Sequence, residues 1–273
     1  MSPLPPPLAG KLARLKGILT EMESMVIAFS GGVDSTFVLR VATDVPNIRV
    51  LAVTTDSPTN TSGEISEARV LAQEFGAQHQ IEVVNELETP GYSANPANRC
   101  YLCKQTLYPL CQRLAQESGL AWVVDGVNCD DLGDYRPGLK AAEEMGVRHP
   151  LVESELTKSD IRKLSAFYGL STADKPASPC LSSRFPYGTA ISKERLDQVA
   201  EAEAFMQELG FIELRVRHLG KDARVEVSES ELARLGDGEL RKRIAVRLNE
   251  IGFERVDISQ SPLRSGSLND VLA

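Results

Sequence analysis

The stretch SGGVDS at residues 30–35 constrains this chain most, because an apolar run at 25–29 precedes it and an apolar helix-forming run at 36–43 follows it. Strand, glycine loop and helix form the unit from which phosphate-binding α/β folds are built. Gly31 and Gly32 let the backbone approach a phosphate without side-chain obstruction. Successive N–H groups then make an anion-binding nest, reinforced by the helix N-terminus. Ser30 and Ser35 add hydroxyl donors. Asp34 is out of place beside a phosphate unless it holds Mg2+ or orients through a backbone N–H, so it points to a metal-bound polyphosphate. The loop lacks the Walker lysine, which excludes the kinase and GTPase solution. The plainer alternative is a strand-to-helix turn in which Ser and Asp merely cap the helix.

The alternation continues along the chain. Strands are predicted at 48–54, 79–84 and 121–125, and helices at 9–24, 63–75, 104–117 and 139–144. The pattern predicts an α/β fold, an open parallel sheet covered on both faces with ligands at the carboxyl ends of its strands. SGGVDS, TTDS and VVDGVNCDD all fall there, and Trp122, starting a central strand, is expected in the core. Beyond 171, TADKPASPCLSSRFPYGT has no period and reads as a functional linker. A helix at 192–209, alternating segments at 212–218 and 223–227, a helix at 239–250 and a strand at 255–258 predict a second, smaller α+β domain. The expected division is 1–185 and 186–273, in keeping with 273 residues being long for one core.

Thirty Lys and Arg against 38 Asp and Glu give a net charge of -8, and 5% aromatic residues are few for a stacking platform, so nucleic acid is disfavoured as substrate. The start MSPLPPPLAG interrupts any signal-peptide core with prolines and no run is long enough to span a membrane, so a cytoplasmic protein is expected.

Five cysteines, Cys100, Cys103, Cys111, Cys129 and Cys180, are odd in number and widely spread, which disfavours a disulfide framework. NRCYLCK gives a C-x-x-C pair just ahead of a predicted helix whose N-terminus lowers thiol pKa values. Cys180 adds a third thiolate from a Ser/Pro-rich loop. Three thiolates on two loops suit a 4Fe-4S cluster with one exchangeable position. Thiols acting directly, a zinc site and inert cysteines remain alternatives. Cys111 shares an apolar helical face with Leu107, Leu110 and Leu114 and reads as a small buried hydrophobe. The roles of Cys129, Asp130, Asp131 and Asp134 stay open, and His79, His149 and His218 are assigned to packing or surface.

AFSGGVDST after a strand resembles the PP-loop ATP pyrophosphatases. DGVNCDDLGDYRPGLKA at 125–141, SPCLSSRFPYGT at 178–189, LRVRHLG at 214–220 and LRSGSLND at 263–270 resemble, more narrowly, the LarE family. The resemblance implies an ATP-dependent sulfur transferase in nickel-pincer cofactor assembly. Its implied reaction adenylates a carboxylate of pyridinium-3,5-biscarboxylic acid mononucleotide and forms a thiocarboxylate. It also implies a small nucleotide substrate, a sulfide or persulfide donor and a homo-oligomer. By matching position, Ala28, Ser30, Gly31, Gly32, Asp34, Ser35, Ser57 and Gly126 would frame ATP, and Asp34 would serve Mg2+. Arg184, Glu203, Arg215, Arg217 and Glu226 would line the substrate site. The spacing of Arg215 and Arg217, two residues apart on a strand, agrees with a phosphate clamp on one face; its alternative is a solvated edge with two exposed arginines. LarE-like proteins come in two sorts, one surrendering the sulfur of a single cysteine and one carrying sulfide on a cluster held by three. The count here matches the second, with Cys100, Cys103 and Cys180 as ligands, and Pro179 stands where the sacrificial cysteine is expected. A PP-loop tRNA thiolase and a non-catalytic ATP- or metal-binding protein are the competing readings.

Overall fold

The computed structural model describes residues 3–133, 137–264 and 266. In chain order they form α1 (Pro6–Met22), β1 (Ser24–Ala28), α2 (Val33–Asp44), β2 (Arg49–Asp56), α3 (Ser62–Glu74), β3 (Gln78–Val83), α4 (Arg99–Ser118) and β4 (Trp122–Val124). There follow α5 (Pro137–Glu144), α6 (Pro150–Glu153), α7 (Lys158–Phe167), α8 (Lys193–Glu208), β5 (Leu214–Leu219), β6 (Asp222–Val227), α9 (Gly238–Ile251) and β7 (Arg255–Ile258). The chain divides into two compact units, one made of Met1–Val84 and Cys100–Ser178, the other of Asn85–Arg99 and Pro179–Ala273.

In the first unit the sheet runs β3-β2-β1-β4 with every neighbouring pair parallel. Successive side chains of β1 alternate between two cores. Met25 and Ile27 pack with α1, α2, α3 and α7, while Val26 packs with α4 and α5 on the opposite face. This is the expected open parallel sheet, covered on both sides. Capping boxes fix two of its helices: Thr61 with Glu64 starts α3, and Thr157 with Asp160 starts α7.

Three details differ from the sequence-based expectation. The helix α4 already begins at Arg99, so Cys100 and Cys103 lie inside its first turns and not ahead of it. Trp122 is 39% exposed, because β4 is an edge strand of three residues; the Arg148 guanidinium covers its ring at 5.0 Å. Finally, α6 and α7 occupy a stretch for which no element is predicted.

The second unit holds a sheet β5-β6-β7, antiparallel at β5/β6 and parallel at β6/β7, packed by α8 and α9. Ser192 caps α8 and Gly252, at φ 115°, closes α9. Leu196, Val199 and Met206 of α8 and Ile244 and Leu248 of α9 are fully buried, as are Val216 and Val225 on the strands. Residues 214–218 of β5 are buried without interruption, since the short 3-10 helix Leu181–Arg184 also packs against this strand. No helix among the described residues is long and apolar enough to cross a membrane.

Candidate functional site

The glycine loop leaves the carboxyl end of β1 after Ala28 and turns into α2. Gly31 adopts φ +69°, a left-handed conformation that a residue without Cβ reaches at no steric cost, and a β-carbon there would also press on Ala68 at 3.3 Å. Ser30 and Ser35 hydroxyls lie 3.1 Å apart across the loop, and the backbone N–H groups of Ser30 and Gly32 donate to Ser35 Oγ and Ser30 Oγ. Gly126 lies close against this turn. A β-carbon on it would sit 2.8 Å from Ser35 N, so the loop after β4 can approach α2 only as glycine. Ser57, just past β2, is buried; its Oγ bonds Thr59 Oγ1 at 2.8 Å and accepts from Thr59 N, which fixes that turn.

Asp34 stands in the first turn of α2, its Oδ2 2.6 Å from Lys158 Nζ. Its Oδ1 is buried without a hydrogen-bond partner among the described residues. Burial pushes the Asp34 carboxyl above its usual pKa, and Lys158 opposes the rise. Lys175 donates to the Gly31 carbonyl at 3.1 Å and pairs with Glu67 at 2.6 Å. The loop without a lysine of its own is thus served by two lysines from distant sequence. Only the T-x-x-D capping box before α7 hints at the first. Asp130 reinforces it, accepting from Lys158 N at 2.8 Å, which gives part of the DGVNCDD run a structural task. Asp131 accepts from Asn128 N at 3.0 Å, and Cys129 Sγ faces the Val152 carbonyl. Asp134 lies outside the described residues, as do Tyr135 and Arg136 of DYRPG and Ser265 and residues 267–270 of the terminal motif.

Beside Gly126, the buried Asp125 accepts hydrogen bonds from Tyr108 Oη and from His149 Nδ1, each at 2.7 Å. Burial opposes ionisation of both partners. The mutual bond wins, holding Asp125 below the usual carboxylate range and His149 above the usual imidazole value. His149 is therefore a hydrogen-bonded buttress of Asp125, which its assignment to packing or surface misses. His79 is a structural group too, bonded to Thr54 Oγ1 and edge-on to Phe29.

Cys100 is exposed and Cys103 half-buried one helical turn later, so two cysteines outside any disulfide share a face of α4. Cys180, half-buried and in no disulfide, precedes the 3-10 helix of the second unit. Three thiols are a donor set chemically suited to an iron–sulfur cluster. Among the described residues no three His, Cys, Asp or Glu side chains are gathered as a metal site. Cys111 is completely buried, its thiol pushed up to about 12 by burial.

The second unit brings together Arg184, Glu203, Arg215, Arg217 and Glu226. Arg184 grips Glu203 through two bonds of 2.9 Å, and Glu203 Oε1 also accepts from Val216 N. Further Arg184 bonds reach Ser183 Oγ and the carbonyls of Pro179 and Cys180. Arg217 donates to Glu226 at 2.9 Å and to the Ser183 carbonyl at 2.8 Å. Arg215 is 6% exposed, and its guanidinium makes no hydrogen bond or ion pair with any described residue. Burial and the neighbouring Arg217 and Arg184 lower its pKa to about 10. Three guanidiniums thus face two carboxylates in a buried cluster. The solvated edge with two exposed arginines is excluded, since both side chains are buried.

The NAD synthase family model matches residues 15–97, which contain the glycine loop. An uncharacterized protein of Synechocystis is 42% identical over 97% of this chain and 99% of its own length. Pyridinium-3,5-bisthiocarboxylic acid mononucleotide synthase of Lactiplantibacillus plantarum is 39% identical over 97% of this chain and 96% of its own length. An uncharacterized protein of Methanocaldococcus jannaschii is 27% identical over 93% of this chain and 98% of its own. With its glycine loop, its parallel sheet and a likeness that runs the length of both units, the chain belongs to the LarE family within the PP-loop superfamily.

Proposed function

We propose that the chain is an ATP-dependent sulfur transferase that adenylates a carboxylate of pyridinium-3,5-biscarboxylic acid mononucleotide and converts it to a thiocarboxylate in nickel-pincer cofactor assembly. The observation that carries this reading is Arg215, a buried guanidinium without a side-chain partner among the described residues in a cluster already supplied with two carboxylates. A substrate phosphate would complete it, and the name of the Lactiplantibacillus plantarum relative specifies a mononucleotide.

In the first unit, Ala28, residues 30–35, Ser57 and Gly126 would frame the triphosphate. The nest N–H groups would bind phosphate oxygens, and Lys158 and Lys175 would supply the cations that the loop lacks. The buried, unpartnered Asp34 Oδ1 is the atom suited to Mg2+, whose charge would spread over the phosphates. The substrate carboxylate oxygen attacks the α-phosphorus, and the α–β bridging bond breaks with its electron pair leaving on pyrophosphate. A sulfur nucleophile then forms the C–S bond as the C–O bond to AMP breaks. Cys100, Cys103 and Cys180 would hold a 4Fe-4S cluster, which when bound supplies an open iron that can present sulfide. Arg184 and Glu203, locked together and to the Cys180 carbonyl, would fix the turn that carries the third thiol.

Incubation of anaerobically prepared protein with ATP, Mg2+, sulfide and the biscarboxylic mononucleotide tests this reading. AMP, pyrophosphate and an acid-labile thiocarboxylate are expected together. ADP and orthophosphate as main products would overturn the assignment, and sulfur appearing in tRNA instead would transfer it to the thiolases.

A further inference from the structure

The residue that precedes Cys100 is tied to the turn that follows Cys180. Arg99 is 4% exposed, and its Nη1 donates to the Ser182 carbonyl at 2.9 Å and to Asn95 Oδ1 at 2.5 Å. Asn95 is wholly buried with φ 54°, a left-handed conformation that asparagine tolerates better than most residues. Its amide donates to the Phe185 and Pro186 carbonyls at 3.2 and 2.7 Å, so it grips the far end of the same turn. The Tyr92 hydroxyl meets Ser182 Oγ at 2.8 Å, again fully buried. These bonds join positions about ninety residues apart, and they explain why Asn85–Arg99 belongs to the second unit although it lies between elements of the first. Buried bonds of this kind, one from a charged donor, are costly to leave unmade and hold one geometry.

We propose that Arg99 is a positioning residue for the Cys180 turn, clamping the Ser182 carbonyl together with Asn95 so that the Cys180 thiol is held in one geometry. The proposal deepens the reading above, which makes Cys180 functional, but its structural core holds in the absence of any reaction. A lysine is a poor replacement for this donor. It offers a point charge on a flexible stem and lacks the planar Nη1 amine whose two hydrogens are directed at Asn95 Oδ1 and the Ser182 carbonyl.

The test is the alkylation rate of Cys180 by iodoacetamide, followed by peptide mass mapping without ATP or substrate, with half-buried Cys129 of the first unit as internal reference. In Arg99→Lys, Cys180 should react on the order of tenfold faster while Cys129 is unchanged, because local opening of the turn loses a charge-assisted bond. Tyr92→Phe, which removes only the hydroxyl, should move Cys180 in the same direction by a smaller factor and serves alone if Arg99→Lys does not fold. With sulfur transfer also assayed, kcat should fall in Arg99→Lys and KM for ATP should stay. An unchanged Cys180 rate in the folded variants overturns the proposal, as does equal acceleration of Cys129, which would mark general loosening. A faster Cys180 in a protein whose parent transfers no sulfur would leave the clamp standing and remove the proposed function.

Discussion

Lys158 Nζ lies 2.6 Å from Asp34 Oδ2, joining the start of α7 to the start of α2 across 124 residues of sequence. The contact places the amine of a lysine beside a loop that has none, and it leaves Asp34 Oδ1 buried and free for a cation. Asp34→Asn should abolish ATP turnover with the fold intact. Lys158→Gln should also lose turnover, and the double variant should cost far less than the sum, since both singles break one unit. Strictly additive rate losses would show that the pair does not act together.

Gly126→Ala tests the close approach behind the ATP loop. A methyl group 2.8 Å from Ser35 N meets backbone, which cannot swing aside, so the loop after β4 or the first turn of α2 must move. A stability loss of about 1–3 kcal/mol is expected. ATP affinity should fall more than this cost alone accounts for. Calorimetric titration with a non-hydrolysable analogue decides it, and unchanged affinity would place the nucleotide elsewhere.

The buried arginines should respond in opposite ways. Arg184→Ala removes both guanidinium bonds to buried Glu203, leaving it the Val216 N–H alone, and should cost about 3 kcal/mol of stability. Arg215→Ala removes a buried cation that has no partner and should be neutral or stabilising, while weakening the substrate nucleotide by about 1.5–3 kcal/mol and leaving ATP binding unchanged. Urea unfolding and nucleotide titration separate the two effects. Equal loss of ATP affinity in Arg215→Ala would show that the clamp serves the other pocket.

His218 gives a pH signature. It is stacked on Phe185 at 4.9 Å and lies at an angle to Phe253; its Nε2 meets Gln198 Oε1 at 3.3 Å, and Nδ1 has no hydrogen-bond partner among the described residues. Burial lowers its pKa from 6.5 to about 4, with Arg195 assisting. The folded state therefore refuses a proton that the unfolded chain accepts. The stability contribution is complete above pH 6.5 and is lost as pH falls toward 4, by about 3 kcal/mol at most. His218→Phe should flatten this part of the urea midpoint profile. An unchanged slope would assign the acid loss to other groups.

Periodicity carried the architecture because each strand and helix declares its own faces. The alternation of Met25, Val26 and Ile27 and the Thr61 capping box need no distant partner to be read. Arg215 and Arg217 were likewise legible as same-face neighbours, though not as buried ones, since burial depends on the 3-10 helix Leu181–Arg184 that packs over β5. Trp122 misleads because an apolar strand start reads the same at a sheet edge as at its centre. Lys158, Lys175 and the Arg99 clamp were hidden for a common reason. A lysine or arginine in sequence says nothing of which carbonyl or carboxylate it meets 83 to 144 residues away.

The source of the transferred sulfur is the last point that a single preparation can decide. If Cys100, Cys103 and Cys180 jointly hold a cluster, replacing any one by Ser should remove the visible absorption and sulfur transfer together. Cys111→Ser should cost only packing stability, since that side chain is wholly buried in the core formed with α4 and α5 and its thiol does not ionise near neutral pH. After many turnovers with added sulfide, mass spectrometry should find all five cysteines unconverted. A limit of one turnover, with dehydroalanine at position 180, would instead mean that the Cys180 Cβ–Sγ bond breaks. The Cys180 turn, clamped at the Ser182 and Phe185 carbonyls and gripped by Arg184, would then present a sulfur for elimination and not a ligand for iron.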